Sequence, residues 1–195
     1  MPRAPDDVLP ASFYSRDPAL VARGLLGKRL LRRLNGEVLG GVLVETEAYY
    51  GSGDPASRAF QGLKEYNRLM WGEPGRVFIY NVHRYWMFNV VAHEPGEVGA
   101  VLVRALEPTR GIEAMMRNRR VANLFELTSG PGKLTLALGI DRGLNGASVT
   151  EKGGEVFIVE GDDDFEVGCS RRIGVREDLE RDLRFYVKGS GYVSR

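Results

Sequence analysis

The chain has 195 residues, of which 43% are hydrophobic and 27% charged, and this balance predicts one domain around one hydrophobic core. The net charge of +1 gives no global signal of polyanion binding, so nucleic-acid binding has to be argued from local residues. A single cysteine, Cys169, excludes an internal disulfide, and with two histidines it leaves few ligands for a metal. We therefore expect chemistry without a metal or other cofactor.

The N-terminal residues carry no targeting pattern. Residues 1–13 contain prolines and acidic residues instead of a basic stretch followed by an apolar one. No apolar run approaches the roughly 20 residues of a membrane span. We expect no membrane association, a cytoplasmic location that is nucleoid-associated if the source is bacterial, and a loosely ordered segment over residues 1–15.

The first elements predicted are a helix and a hairpin. Asp17 followed by Pro18 is typical of a helix N-terminus, and the next glycines are expected to end that helix. Residues 28–34 and 37–50 are β-compatible runs joined by Asn35-Gly36, a strong hairpin signal. The second strand of this hairpin carries Glu47.

A long loop and a second hairpin follow. Residues 51–75 are polar and broken by glycine and proline, and a loop of this length in a compact domain is usually functional or disordered. We interpret it as functional. Residues 77–80 and 85–91 are apolar, aromatic-rich strands, and the polar tip at 81–84 is expected to project.

The second half of the chain predicts one strand, two helices and two further strands. Residues 98–106 form the first strand, and Glu107-Pro108-Thr109 is expected to open a helix that runs to Arg120. Ser129-Gly130-Pro131 begins another helix, which ends at glycine 139. The last predicted strands cover residues 165–175 and 183–187. The fold class is α+β: a single domain over 1–195, with a curved antiparallel sheet, flanking helices and a projecting β-hairpin.

Two carboxylates stand on one face of the strand over 37–50. Alternation places Leu43, Glu45, Glu47 and Tyr49 on this face and apolar residues on the other, which predicts a core on the apolar side. Folding alone does not require two carboxylates and a phenol in a row beside a long loop. An ordinary solvated sheet face shows the same pattern, so these residues alone do not decide between the two.

Arg104 supplies a predicted partner for these carboxylates. It lies between Leu102 and Leu106 in an apolar strand, so its guanidinium is expected to be buried and paired. Glu45 and Glu47 are the natural partners, and an adjacent arginine favours the ionised carboxylate that a general base needs. A purely structural ion pair fits this pattern equally well.

Aromatic and basic residues surround the same region. Tyrosines near carboxylates can stack flat ligands, at about 1–3 kcal/mol per nucleic-acid base. Lys133 stands at a predicted helix N-terminus, where anions bind favourably, and Arg172 and Arg184 are further candidate phosphate contacts. The residues thus predict a carboxylate-arginine site with aromatic walls, without specifying DNA.

Six segments, in order, resemble the alkyladenine (3-methylpurine) DNA glycosylase family. They spread from the first hairpin to the C-terminus. The segments are Val44-Glu45-Thr46-Glu47-Ala48-Tyr49, Asp54-Pro55-Ala56-Ser57, Glu73-Pro74-Gly75, Leu102-Val103-Arg104-Ala105-Leu106-Glu107-Pro108, Ser129-Gly130-Pro131-Gly132-Lys133-Leu134 and Arg184-Phe185-Tyr186-Val187.

The resemblance implies a monomeric base-excision repair enzyme. It would flip alkylated, and also deaminated, purines out of duplex DNA and hydrolyse the N-glycosidic bond. By motif, Glu47 activates water, Arg104 holds water and carboxylate, and the backbone carbonyl of Ile173 orients the water. Tyr49 and Tyr80 match walls of the base pocket. The matched segments hold no obvious lysine nucleophile, so we expect a monofunctional enzyme without AP-lyase activity.

Asn89 matches an asparagine that lies beneath the family's base pocket. The resemblance implies that it helps to exclude bases with a 2-amino group.

The sequence departs from this family at two places around the pocket. Arg58 stands where the family usually has histidine after Asp54-Pro55-Ala56-Ser57, which replaces a switchable ring with a permanent cation. We expect Arg58 to disfavour cationic bases unless a carboxylate such as Asp54 pairs with it. The second hairpin is one residue shorter than usual, so either Val82 or His83 is the candidate wedge that fills the opened stack.

Two other functions remain open at this point. A glycoside hydrolase using Glu45 and Glu47 fits two carboxylates about 6.6 Å apart, although such pairs normally flank the substrate from opposite sides. A catalytically inert nucleic-acid-binding module would keep the basic residues, but it has no need for a buried carboxylate-arginine site.

Overall fold

The computed structural model describes residues 7–194 and shows one curled antiparallel sheet with helices packed against it. Within these residues eight strands form the sheet, in the order β3-β4-β5-β2-β1-β6, with β8 paired to β2 and β7. This architecture confirms the predicted α+β class. The strands are β1 (Arg29–Leu34), β2 (Glu37–Tyr49), β3 (Val77–Val82), β4 (Tyr85–Val91), β5 (Ala100–Arg110), β6 (Val156–Val159), β7 (Val167–Ser170) and β8 (Arg184–Val187).

The helices are short, with two before β1 and two between β5 and β6 in the chain. They are α1 (Ala11–Tyr14), α2 (Pro18–Leu25), α3 (Ile112–Arg119) and α4 (Pro131–Leu138), with 3-10 turns at Glu65–Trp71, Leu124–Glu126 and Arg142–Leu144. The predicted start of α2 is confirmed, because the Asp17 carboxylate accepts hydrogen bonds from the backbone N–H groups of Ala19 and Leu20. The predicted end of α4 is confirmed as well, since Gly139 adopts φ +60° there.

Strand β2 is the centre of the sheet. β5 pairs along most of its length, whereas its other edge is shared by β1, next to residues 37–42, and by β8, next to residues 45–47. Because both edges are paired, the second half of β2 lies inside the protein. Glu45 and Glu47 are therefore held in a fully hydrogen-bonded part of the sheet.

The prediction of a helix from residue 107 is wrong for its first turn, because residues 107–110 belong to strand β5. Residues 107, 108 and 110 of β5 pair with Val42, Gly41 and Gly40 of β2, and this pairing continues the strand past the proline. Helix α3 begins only after Gly111, which adopts a left-handed conformation with φ +67°. A Cβ on Gly41 would lie 1.9 Å from the Glu107 carbonyl oxygen, so the close approach of the two strands needs glycine there.

The predicted strand over 165–175 is also too long. Only Val167–Ser170 pairs, and residues 171–183 form an irregular segment instead. Strand β6, Val156–Val159, was not predicted although all four of its residues are buried. Its apolar run is short and lacks alternation, so its sequence carries no strand period.

The N-terminal segment packs where the structure describes it. Residues 1–6 lie outside the described part of the chain, but Leu9 and Tyr14 are fully buried in the main core. The expected loose order over 1–15 therefore does not extend to these two residues. Across residues 7–194, no helix is both long enough and apolar enough to cross a membrane.

Candidate active site

The site begins at a break in the alternation of β2. Leu43 pairs with Leu106 and Glu45 with Ala105, so the register shifts between the two β2 residues. Leu43 therefore packs in the main core together with Ala48, and its predicted place on the face of Glu45 is wrong. From Glu45 onward the alternation holds, with Thr46 turned to the carbonyl oxygen of Ala22 in α2.

Glu47 is fully buried and each of its oxygens accepts a hydrogen bond. Oε1 accepts from the backbone N–H of Ile173 at 2.8 Å, and Oε2 accepts from the Tyr49 hydroxyl at 2.8 Å. Nη1 of Arg104 lies 3.3 Å from Oε1. Burial raises the pKa of Glu47, and Arg104, Ile173 and Tyr49 offset this only in part. Arg104 thus favours the ionised form, as predicted, but burial outweighs it.

Glu45 accepts more hydrogen bonds than Glu47. Its Oε1 accepts from Nε of Arg104 at 2.9 Å, from Nε of Arg184 at 2.7 Å and from Oγ of Ser194 at 2.8 Å. Its Oε2 accepts from the backbone N–H of Ser194 at 2.6 Å. The predicted pairing of Arg104 with both glutamates is confirmed. A carboxylate held by two guanidinium groups is a structural anchor, and it is poorly suited to act as the second acid of a glycoside hydrolase.

Arg184, a predicted phosphate contact, is paired within the protein instead. Its side chain is 11% exposed and its donors go to Glu45, to the Ser170 hydroxyl and to the Ser194 carbonyl oxygen. Since these bonds hold β8 and the C-terminal residues against β2, the guanidinium is not available to DNA.

Arg172, the other arginine predicted to contact a phosphate, is also paired within the protein. Its side chain is fully buried and forms a bidentate pair with Asp54, at 2.7 Å for both bonds, and a further pair with Asp178. It also donates to the Ala48 carbonyl oxygen at 2.9 Å, and its guanidinium carbon lies 4.5 Å from the ring centre of Tyr49. Arg172 thereby joins the 51–75 loop and the 171–183 segment to β2.

An open cleft of about 870 Å³ passes in front of Glu47. Residues 173–177 of the 171–183 segment form part of its wall. Residues from β2, β3, β5 and that segment line it, among them Tyr49, Tyr80, Val82, Arg104 and Ile173. Its lining thus includes all three groups that contact Glu47 directly.

A narrower recess opens beneath the cleft, between Tyr49, Phe78, Tyr80 and Asn89. Asn89 is 2% exposed, and its Nδ2 donates to the carbonyl oxygens of Phe78 at 3.1 Å and Met87 at 3.0 Å. Both amide protons are thereby used, so the side-chain oxygen is the atom left to interact with a bound molecule. The structure thus brings together Tyr49, Tyr80 and Asn89, as the sequence predicts.

Arg58 lies at the mouth of the same recess. It is exposed, and its guanidinium carbon lies 4.5 Å from the ring centre of Tyr80. Asn67 holds this part of the loop by donating to the carbonyl oxygens of Arg58 at 2.8 Å and Gly62 at 3.0 Å. Asp54, the carboxylate considered as a partner for Arg58, is paired with Arg172 instead.

The second hairpin is confirmed, with a shorter tip than predicted. β3 extends to Val82, which leaves only His83 and Arg84 in the turn, and His83 adopts φ +53°. Val82 lines the cleft from the end of its strand. Lys133 lies in the first turn of α4 and lines a neighbouring groove that also reaches Arg104.

Four residues that organise the site were not predicted in this role. Asp54, Asp178 and Ser194 complete the buried charge clusters, and Asn67 fixes the loop that carries Arg58. Asp54 occurs in one of the six family-like segments, which was a usable signal. Nothing in the local sequence of Ser194 or Asp178 indicates a distant charged partner.

Comparison with known proteins places this site in a family. The family model for methylpurine-DNA glycosylase matches residues 12–191. A protein of Aeropyrum pernix is 44% identical over 96% of this chain and 93% of its own length. One from Carboxydothermus hydrogenoformans is 41% identical over 96% and 99%, and one from Mesorhizobium japonicum is 44% identical over 91% and 86%. All three carry the name "Putative 3-methyladenine DNA glycosylase".

These sequence matches over nearly the whole chain define a DNA glycosylase, a hydrolase of base-excision repair. Within that class, the chain belongs to the methylpurine-DNA glycosylase family. The family resemblance predicted from the six segments is therefore confirmed.

Proposed function

We propose that the protein removes alkylated purines, and deaminated purines as a second class, from duplex DNA. The damaged nucleotide is flipped into the cleft and its N-glycosidic bond is hydrolysed, which leaves an abasic site. The observation that carries this proposal is the buried Glu47 carboxylate, held by Arg104, Tyr49 and the Ile173 backbone directly behind an aromatic-walled cleft.

The hydrolysis uses Glu47 as general base. As the bond from C1′ to the purine nitrogen breaks, its electron pair leaves with the purine and positive charge develops on the sugar. The water oxygen bonds to C1′ while Glu47 takes a water proton, and the Glu47 charge stabilises the sugar cation. Arg104 orients the carboxylate. The Ile173 N–H holds Glu47, and the carbonyl oxygen of the same residue orients the water.

The base is recognised in the recess between the two tyrosines. Tyr49 and Tyr80 supply stacking surfaces, and Asn89 disfavours purines with a 2-amino group at its floor. Val82 and His83 at the end of the hairpin fill the gap in the opened stack. Lys133, in the first turn of α4, contacts a phosphate. Tyr49, Tyr80 and Val82 line the cleft in front of Glu47, Asn89 lines the recess, and Lys133 lines the neighbouring groove.

The enzyme is monofunctional. Within the described residues, no lysine lines the cleft in front of Glu47, so no amine is placed to attack C1′ and form a Schiff base. Borohydride treatment during turnover is expected to trap no covalent enzyme-DNA adduct. Recovery of such an adduct would overturn this part of the proposal.

The central test measures base release from methylated duplex DNA by the wild type and the Glu47→Gln variant. Since Glu47 is the general base, the variant is expected to lose about 100-fold or more in single-turnover rate while still binding DNA. Glu151→Gln, the same change at an exposed position, is the matched control and should retain the wild-type rate. DNA binding without release by the wild type would instead support an inert binding module.

A further inference from the structure

Arg58 brings an uncompensated positive charge to the base recess. The other two arginines near Tyr49 and Tyr80 are neutralised by neighbours: Arg172 by Asp54 and Asp178, and Arg104 by the two glutamates of β2. Among residues 7–194, no carboxylate forms an ion pair with Arg58, whose guanidinium rests on the ring of Tyr80. The charge at this wall of the recess is therefore positive.

The position of Arg58 has a direct consequence for the charge of the base. The face of an aromatic ring attracts cations, and the Arg58 guanidinium already lies against one face of Tyr80. A purine methylated on a ring nitrogen carries a positive charge in DNA. Such a base gains less from Tyr80 and meets a like charge at the mouth of the recess.

Arg58 also has donors only. Its N–H groups can donate to an oxygen or an unprotonated nitrogen on the edge of a purine, and they never accept. A neutral purine with a carbonyl oxygen at position 6, the product of deamination, offers such acceptors. A cationic methylated purine leaves easily because its ring charge is neutralised on departure, whereas a neutral purine must leave with developing negative charge.

We propose that Arg58 is a specificity-determining residue that shifts this enzyme toward neutral, acceptor-bearing deaminated purines and away from cationic methylated ones. This inference rests on the proposed function. When the bond to C1′ breaks, the electron pair goes to the purine, and Arg58 stabilises that charge by a hydrogen bond while keeping its own proton. The departing purine takes a proton from solvent, and the proton of the attacking water goes to Glu47.

The test compares two lesions in one A·T-rich duplex, a single deoxyinosine and N3-methyladenine introduced by a methylating agent. Both bases lack a 2-amino group, so the effect of Asn89 is common to them. Single-turnover rates are measured for the wild type and for Arg58→Met, which keeps the length and removes the charge. One charge-assisted hydrogen bond corresponds to about tenfold or more, so the inosine-to-methyladenine ratio is expected to fall by at least about tenfold.

Two further variants identify the cause of a change. Arg58→Lys keeps the cation without the planar fork, so it is expected to keep the bias against methyladenine while losing part of the inosine rate. Arg68→Met removes another exposed arginine of the same loop, which pairs with Glu65, and the ratio should stay at the wild-type value.

The outcomes separate this inference from the proposed function. An unchanged ratio in Arg58→Met, or an equal loss on both lesions, overturns the role of Arg58. If the ratio is unchanged and the slope of log binding constant against log salt concentration falls by about one, Arg58 contacts a phosphate. This result also overturns its role in specificity. Release of neither base by the wild type would refute the proposed function itself.

Discussion

Glu45 and Glu47 are buried carboxylates two residues apart on β2, and they lie in different environments. Glu45 accepts from two guanidinium groups and twice from Ser194, whereas Glu47 accepts one backbone N–H and one phenol beside a single arginine. Burial therefore raises the pKa of Glu47. This difference separates a carboxylate that holds the fold from one that can take a proton.

The raised pKa of Glu47 predicts the pH profile of base release. A general base acts when ionised, so the rate should fall with decreasing pH at a value above the ordinary range for glutamate. Single-turnover release of N3-methyladenine is the suitable measurement, because this base is already cationic and needs no further proton to leave. A rate that stays constant down to the ordinary glutamate range would contradict this prediction.

The same pKa predicts the stability of the Glu47→Gln variant. Because the folded-state pKa is raised, folding favours the protonated form, and this stabilisation is lost as the pH rises through the folded-state pKa. Glutamine mimics the neutral form at every pH. The variant should therefore gain free energy of unfolding relative to the wild type between acidic and neutral pH, as measured by denaturant unfolding. A difference that does not grow with pH would speak against a raised pKa.

Glu45→Gln is expected to destabilise the protein strongly. It removes the charge that compensates Arg104 and Arg184, and breaking a buried pair costs about 3–5 kcal/mol. Glu65→Gln is the matched control, because both side chains of its ion pair with Arg68 are exposed and such a pair is worth about 1 kcal/mol or less. Equal losses for the two variants in chemical denaturation would contradict the structural role of Glu45.

At the scale of elements, helix α4 supports the second hairpin. Thr135 donates to the Trp86 carbonyl oxygen at 2.9 Å, and Gly132 lies against the Tyr85 ring. A Cβ at position 132 would come within 2.8 Å of that ring, so the helix and hairpin approach each other only because this residue is glycine. The hairpin that carries Val82 and His83 is thus oriented by α4.

Gly132→Ala is therefore expected to displace the hairpin and lower both stability and DNA affinity. Overpacking of this kind costs about 1–3 kcal/mol. Gly153→Ala is the control, since no atom lies within 4 Å of its added Cβ. Thermal unfolding and binding to a duplex with an abasic-site analogue measure the two effects. If the Gly132→Ala variant is destabilised but binds this duplex with the affinity of the wild type, α4 does not orient the hairpin.

At the scale of the whole molecule, the net charge of +1 limits non-specific attraction to DNA. Arg172 and Arg184 form ion pairs within the protein, which leaves few cations near the cleft to contact phosphates. We expect a shallow dependence of the logarithm of the binding constant on the logarithm of the salt concentration. Lys133→Ala should reduce the slope by about one, whereas Lys152→Ala, an exposed control, should leave it unchanged. A steep slope, or the same slope for both variants, would contradict this prediction.

Local chemistry determined much of this protein from the sequence alone. Asn35-Gly36 predicted the first hairpin, Asp17-Pro18 predicted the start of α2, and an arginine in an apolar strand predicted a buried partner for Glu45 and Glu47. These features depend on neighbours along the chain, or on the general rule that a buried charge is paired. The six family-like segments predicted the family for the same reason, because each is a local pattern.

Only the tertiary structure decided which charges remain available. Arg172 meets Asp54 across 118 positions, Arg184 meets Glu45 across 139, and Ser194 meets Glu45 across 149. No pattern in the neighbourhood of either arginine distinguishes such a residue from one that contacts phosphate. Strand pairing likewise extended β5 through a proline and broke the alternation at Leu43. Long-range contacts decided these points, because the free energy of a buried charge or an added strand residue depends on what lies opposite in space.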